Sequence, residues 1–227
     1  MINQWRQLLA TLEITEDDSG VEILSKDELT AFETQNNITL PADYKEFCQI
    51  FGTGCLWDLV LIFCPSNYLL ETQKDMTEQM IDQIRRYPSP DFNHDLEYIN
   101  LLNSAFMFGE VGESRLIFGD LRTYNESDKS YNIYCADWET PECDGPICIG
   151  RSFFEFVRNF CYGTKSFELL PELMEGLSPE DIKYTFRRFN YSIRNSMIVS
   201  NYRATEQQGE SDHQIIVATT PIETQMD

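Results

Sequence analysis

A chain of 227 residues with 38 acidic and 17 basic side chains carries a formal charge of −21, a field that repels phosphate backbones and argues against a direct nucleic-acid footprint. Its 42% hydrophobic content is ordinary for a folded protein, and the length suits one sizeable core or one domain with a tail. The seven cysteines are odd in number and irregular in spacing, and Cys48, Cys55, Cys64 and Cys161 sit in apolar contexts where a reduced thiol packs as a small hydrophobe. With no basic-then-apolar leader in the first ten residues and no apolar run of bilayer-spanning length, the expected location is the cytoplasm.

Ile2, Trp5, Leu8, Leu9 and Leu12 recur at near-helical spacing and predict a short N-terminal helix, followed by a polar turn over residues 16–20. Ser25 and Glu28 then have the spacing of a capping box, opening a helix with Leu29 and Phe32 on one face. Pro41 suits the first turn of a second helix, whose Tyr44, Phe47, Cys48 and Phe51 form one buried stripe. Gly52 and Gly54 stop that helix by supplying positive φ.

Residues 56–63, LWDLVLIF, form a continuous apolar run that reads as one strand buried on both faces, with Asp58 its one charge. Met76, Met80, Ile81 and Ile84 mark an amphipathic helix ending in Arg85 and Arg86. Pro88 and Pro90 predict an irregular connection before Leu96, Ile99 and Leu102, within an insertion. Residues 105–110, 115–120 and 131–138 read as three consecutive strands, a meander, with an exposed loop over 123–130. Ile147, Cys148 and Ile149 suggest a last short strand. Ser152 and Glu155 repeat the capping-box spacing before a helix with Phe153, Phe156, Val157 and Phe160 on its buried stripe, closed by Gly163. Further on, Ser178 as cap and Pro179 in the first turn predict another helix, with Ile182, Phe186 and Phe189 on one face.

The run Ile38-Thr39-Leu40-Pro41-Ala42-Asp43-Tyr44-Lys45-Glu46-Phe47, closed by Phe51-Gly52-Thr53-Gly54, resembles the opening segment of the SUKH superfamily, in which a helix leads into "(I/L)P.DY..F" and ends on a glycine-rich turn. The second half is similar to the family in order: Phe108-Gly109-Glu110 with Gly112-Glu113, then Phe118-Gly119-Asp120, then Asp137-Trp138-Glu139, then the "SF..F" helix at Ser152-Phe153-Phe154-Glu155-Phe156. The resemblance covers about residues 25–162. It departs where the glycine-rich turn is reduced to Gly112-Glu113-Ser114 and where residues 69–103 exceed a minimal member. It implies an α+β fold: a single SUKH-like domain over residues 1–163, with a mainly antiparallel or mixed sheet packed against helices. A helical extension over 164–203 and a polar, loosely attached tail over 204–227 are expected to follow.

Catalytic constellations are scarce. The two histidines, His94 and His213, fall in the expected insertion and tail, where a Cys/His nucleophile pair with Cys135 has no framework. Cys135, Cys143 and Cys148 do not supply the two close pairs that structural zinc uses. Gly52-Thr53-Gly54 follows a helix and precedes a strand, the reverse of a dinucleotide-binding turn. The expectation is therefore no catalytic residue, metal or cofactor.

What stands out is a stretch from Glu110 to Asp144 with nine acids against three bases, interspersed with Tyr124, Tyr131, Tyr134 and Trp138. Many of these positions suit a solvated sheet edge with inward aromatics. As an interface, the stretch offers aromatic anchors ringed by acids complementary to a basic protein surface. The candidate partner-binding residues are Glu113, Asp120, Tyr124, Asp137, Trp138, Glu139, Glu142 and Asp144. Resemblance to the superfamily, many of whose bacterial members are immunity proteins, implies a basic toxin domain, such as a nuclease, as partner. Other members are regulatory interaction modules, which makes a scaffold not tied to a toxin the alternative. Neither nucleic acid nor membrane is expected as a partner.

Overall fold

The computed structural model describes residues 2–191 except 91, 113 and 144. Helix α1 (Ile2–Leu9) forms where its apolar spacing predicts and buries Trp5 completely. Strand β1 (Glu13–Glu16) follows within a stretch whose single apolar residue, Ile14, gives no alternation to read.

Helix α2 (Lys26–Asn36) opens on the expected capping box: Ser25 Oγ accepts from the Glu28 N–H at 3.3 Å, and the Glu28 carboxylate accepts from the Ser25 N–H at 2.7 Å. In α3 (Ala42–Ile50) the stripe of Tyr44, Phe47, Cys48 and Phe51 is fully buried, and Pro41 stands at the N-cap itself. Gly52 has φ +79°, as expected of the helix stop. Gly54 is different. It lies in strand β2 (Gly54–Leu56), where a Cβ would overlap the Phe186 ring and the Arg187 carbonyl, so close packing rather than positive φ demands glycine.

Residues 56–63 are a hairpin and not one strand. β2 pairs antiparallel with β3 (Val60–Ile62), placing Leu56 opposite Val60. Trp57 and Asp58 have φ of 41° and 62°, and the Leu59 N–H donates to the Leu56 carbonyl. That is type I′ geometry, usually signalled by Asn-Gly, and Trp-Asp carries no such signal. The turn carries Asp58 out of the apolar run to meet Arg187 at 3.1 Å.

Helix α4 (Asn67–Arg86) forms as predicted, and the supposed irregular connection is helix α5 (Phe92–Leu102). Its buried apolar side chains are Tyr98, Leu101 and Leu102, with Asp95 also buried, while Leu96 is exposed. The meander of β4 (Ala105–Val111), β5 (Arg115–Asp120) and β6 (Ile133–Asp137) is present, with β7 (Ile147–Gly150) on its outer side. At β4 the Gln73 side chain, from α4, accepts from the Met107 N–H at 2.7 Å and donates to the Ala105 carbonyl at 2.5 Å, where β3 no longer pairs. Helix α6 (Phe153–Glu155) starts at Ser152, whose Oγ accepts from the Glu155 N–H at 3.1 Å, and runs on as a π-helix over Phe156–Cys161.

After α7 (Lys165–Leu169) comes the largest correction. The helix expected from Ser178 is a single 3₁₀ turn, Pro179–Asp181, even though its capping box forms. The chain then enters the sheet as β8 (Thr185–Arg188), parallel to β1 and antiparallel to β2. Phe186 and Phe189, three residues apart, would share a helical face. On extended chain they point to opposite sides, and each fills a different core. The tail expected over 204–227 lies outside the described residues.

The result is an α+β fold with one eight-stranded mixed sheet, in the order β1-β8-β2-β3-β4-β5-β6-β7. One face carries α1, α2, α3, α6 and the π-helix over an aromatic core that includes Trp5, Tyr44, Phe47, Phe108, Phe153 and Phe186. The other is covered by the α4–α5 pair over Phe63, Met80, Ile84, Tyr98, Met107 and Phe118.

Asp43 ties the first face together. Only 3% exposed, it accepts from the Tyr44 N–H at 3.0 Å and, across 111 residues of sequence, from the Phe154 N–H at 2.8 Å. Burial pushes its carboxyl above the usual range, and those backbone donors oppose the shift. Asp43→Ala leaves two amides at helix N-termini without acceptors and should cost about 1–3 kcal/mol, read as a lower urea midpoint at unchanged m-value.

Candidate partner-binding surface

The strand register divides the candidate residues between two ends of the meander. Arg115 lies opposite Asp137, and Gly119 opposite Ile133. Asp120 and Tyr124 therefore belong to one end, and Asp137, Trp138 and Glu139 to the other, roughly 16 Å away along the strands.

At the first end Asp120 is only 2% exposed. Its carboxylate accepts from Arg122 Nε at 2.9 Å, Arg122 Nη2 at 2.8 Å, the Arg122 N–H at 3.0 Å and Ser104 Oγ at 3.0 Å. Burial alone would push this carboxyl up, but the Arg122 and Ser104 bonds outweigh it and hold it below the ordinary range. Tyr124 is half-buried, packs on Tyr131 with ring centroids 5.1 Å apart, and lines a pocket with Lys45 and Lys129. Asp120 is engaged within the fold, while Tyr124 stands among charges of both signs, since Glu33 lines the same pocket and pairs with Lys45 at 2.8 Å.

At the other end Asp137 shapes the backbone. Its carboxylate accepts from the Glu139 N–H at 2.9 Å, the Thr140 N–H at 3.1 Å and the Ser114 hydroxyl at 3.1 Å. That turn holds Trp138 half-buried against the second core and leaves Glu139 exposed. Glu142 follows, with one carboxylate oxygen enclosed and no hydrogen-bond partner for it among the described residues. Glu113 and Asp144 lie outside the described residues. The structure thus brings together Trp138, Glu139 and Glu142 on the connection between β6 and β7.

The catalytic alternatives meet definite obstacles. Cys135 is buried in the first core, its thiol pushed up to about 12 by burial, whereas α5, which bears His94, packs on the opposite face of the sheet. His213 lies outside the described residues. Cys148 pairs with Tyr134, one position off Cys135 on β6, and therefore points away from Cys135. Among the described residues no group of three or more histidine, cysteine, aspartate or glutamate side chains is placed to hold a metal ion. No helix of the described residues is long and apolar enough to cross a membrane.

Three acids in the stretch, Glu110, Glu126 and Asp128, were not among the candidates, and the first of them turns inward. Glu110 lies on the second face, between Leu61 of β3 and Leu116 of β5. Simple alternation along β4 would give it the face of Phe106 and Phe108, but a bulge between Met107 and Gly109 reverses the phase.

An α+β sheet with helices on both faces is the architecture that the SUKH resemblance implies. Residues 23–159 match the model of the SMI1 / KNR4 family (SUKH-1), and the chain belongs to that family. Comparison with curated proteins finds no match. The matched span contains α2 through β7 and most of the π-helix, while α1, β1 and β8 lie outside it.

Because Asp120 is depressed in the folded state, its contribution is present above the unfolded carboxylate pKa, about 3.9, and is lost as pH falls through the folded value. Asp120→Asn should therefore be less stable at pH 7, by about 1–3 kcal/mol. Denaturant curves at successively lower pH should show its deficit closing below about pH 4.

Proposed function

We propose that this chain is a non-enzymatic protein-binding module that acts as an immunity protein, neutralising a cognate toxin with a basic surface. The observation that carries this reading is the acidic turn around Trp138, with Glu139 exposed and Glu142 half-buried, on a chain of net charge −21. Membership of the SMI1 / KNR4 family supports it. In this reading the two glutamates stand in for the phosphate charge that a nuclease groove ordinarily receives, and the Trp138 ring supplies buried area. Attraction between an acidic and a basic surface accelerates encounter and is screened by salt.

The test is binding to a purified toxin domain encoded beside this chain's gene. Charge reversal at Glu139→Lys and Glu142→Lys should slow association about tenfold or more and flatten its dependence on ionic strength. An association rate unchanged by both the reversal and salt sinks the mechanism.

A regulatory scaffold not tied to a toxin is the second reading, favoured by the apolar run Ile215-Ile216-Val217 within the mostly polar stretch from Arg203 to Asp227. Because β8 lies inside the sheet, the discriminating truncation must begin after Tyr191. A chain lacking residues 192–227 should fold and retain toxin binding if the folded domain is the inhibitor. Partner binding lost from that folded truncation favours the scaffold.

A further inference from the structure

The second face of the sheet holds a charge that the fold does not use. Arg187, Cys55, Leu61, Glu110, Leu116 and Ala136 stand opposite one another in a single row across β8, β2, β3, β4, β5 and β6. Cys55, Leu116 and Ala136 are almost wholly buried, at 4%, 2% and 1% exposure. Glu110 sits in the middle of this apolar row, half-buried. Among the described residues neither a hydrogen bond nor an ion pair reaches its carboxylate, and burial, unopposed, pushes the carboxyl above its usual range. The cation of the row, Arg187, is three strands away, roughly 14 Å, and its guanidinium is engaged by Asp58 at 3.1 Å.

An ionisable group in apolar surroundings without a partner weakens the folded state, so its presence points to something outside the fold. Asp43 and Asp120, more deeply enclosed, show the contrast, since each is surrounded by donors. Leu61 and Glu110 remain partly open to solvent while their neighbours in the row are covered. Trp138 follows Ala136 by two residues on the same face of the chain and packs against the same core, two strands across and two residues along from Glu110, roughly 12 Å. A side chain approaching the half-open Glu110 would meet its carboxylate beside the partly open Leu61, with the Trp138 indole on the same face of the sheet. Charge selects a cation. A guanidinium, planar, weakly hydrated and able to pair with a carboxylate while stacking on an indole, fits that combination better than a compact ammonium.

We propose that Glu110, flanked by Leu61 and Leu116 and faced by Trp138, receives an arginine side chain of the protein partner. The inference rests on the protein-binding reading above and adds the residue type that the partner presents.

The experiment uses the full chain with carboxyl-labelled glutamate and indole-labelled tryptophan, followed by NMR during titration with N-acetyl-arginine amide and with its neutral counterpart, N-acetyl-citrulline amide. The arginine probe should produce saturable shifts at the Glu110 carboxyl and the Trp138 indole N–H, and the citrulline probe should not. Glu110→Gln should abolish the Trp138 response and, by removing an uncompensated buried charge, raise the Tm by about 2–4 °C. No saturable shift at Glu110, a Trp138 response that survives Glu110→Gln, or a Tm lowered by that variant overturns the proposal; the last would make Glu110 a residue of the fold. A toxin domain that responds to Glu139→Lys and Glu142→Lys but binds Glu110→Gln unchanged sinks this inference and leaves the function standing. Arginine docking at Glu110, with toxin association indifferent to those reversals and to salt, does the converse.

Discussion

The hydrogen bond from the Phe154 N–H to the buried Asp43 carboxylate, 2.8 Å long, joins the N-terminus of α3 to that of α6. Two helix starts with unsatisfied amides converge on one acceptor, and the positive ends of both helices favour the charge there. With the starts pinned together, Tyr44 and Phe47 of α3 meet the Phe153 ring with centroids 5.0 and 5.1 Å apart. Phe153 in turn contacts Phe108 on β4. The Tyr44 hydroxyl completes the arrangement by donating to the Phe63 carbonyl at 2.6 Å, tying α3 to the chain just after β3. The two sequence segments that carry the family resemblance are thus one physical unit.

On that base the sheet is completed by β8, a strand from outside the family match, which enters between β1 and β2. Without it β1 would have no neighbour and the Phe186 ring would leave the space above Gly54. Arg188 adds bonds to the Phe51 and Ile50 carbonyls at 3.0 and 2.9 Å, satisfying the C-terminal end of α3. Residues 69–103 supply the other layer, so the second face is covered by helices. The Trp138 turn and the half-open Glu110 lie where that cover gives out.

Acidity in this protein is divided between uses. Asp43, Asp120 and Asp137 hold backbone and side-chain donors of the fold. Glu139 faces solvent, and Glu110 is half-buried among apolar neighbours. A net charge of −21 describes the long-range field that a basic partner meets first.

Local signals were enough for much of the framework: the capping box at Ser25, the stripe from Tyr44 to Phe51, the meander and the Ser152 helix start all follow from spacing, because each is settled within one or two turns of chain. The family was legible from the same segments. Where the outcome depended on residues distant in sequence, the local reading failed. Trp57 and Asp58 turn a single apolar run into a hairpin without any glycine to announce it, and α5 forms beyond two prolines because the second sheet face needed cover. Phe186 and Phe189 have helical spacing, yet become extended because β1 and β2 offer unpaired edges. The candidate surface shows the same limit: composition marked the stretch from Glu110 to Asp144, but strand register separated Asp120 from Asp137. One bulge in β4 decided that Glu110 faces the second core, since a single extra residue inverts the side to which every later side chain points.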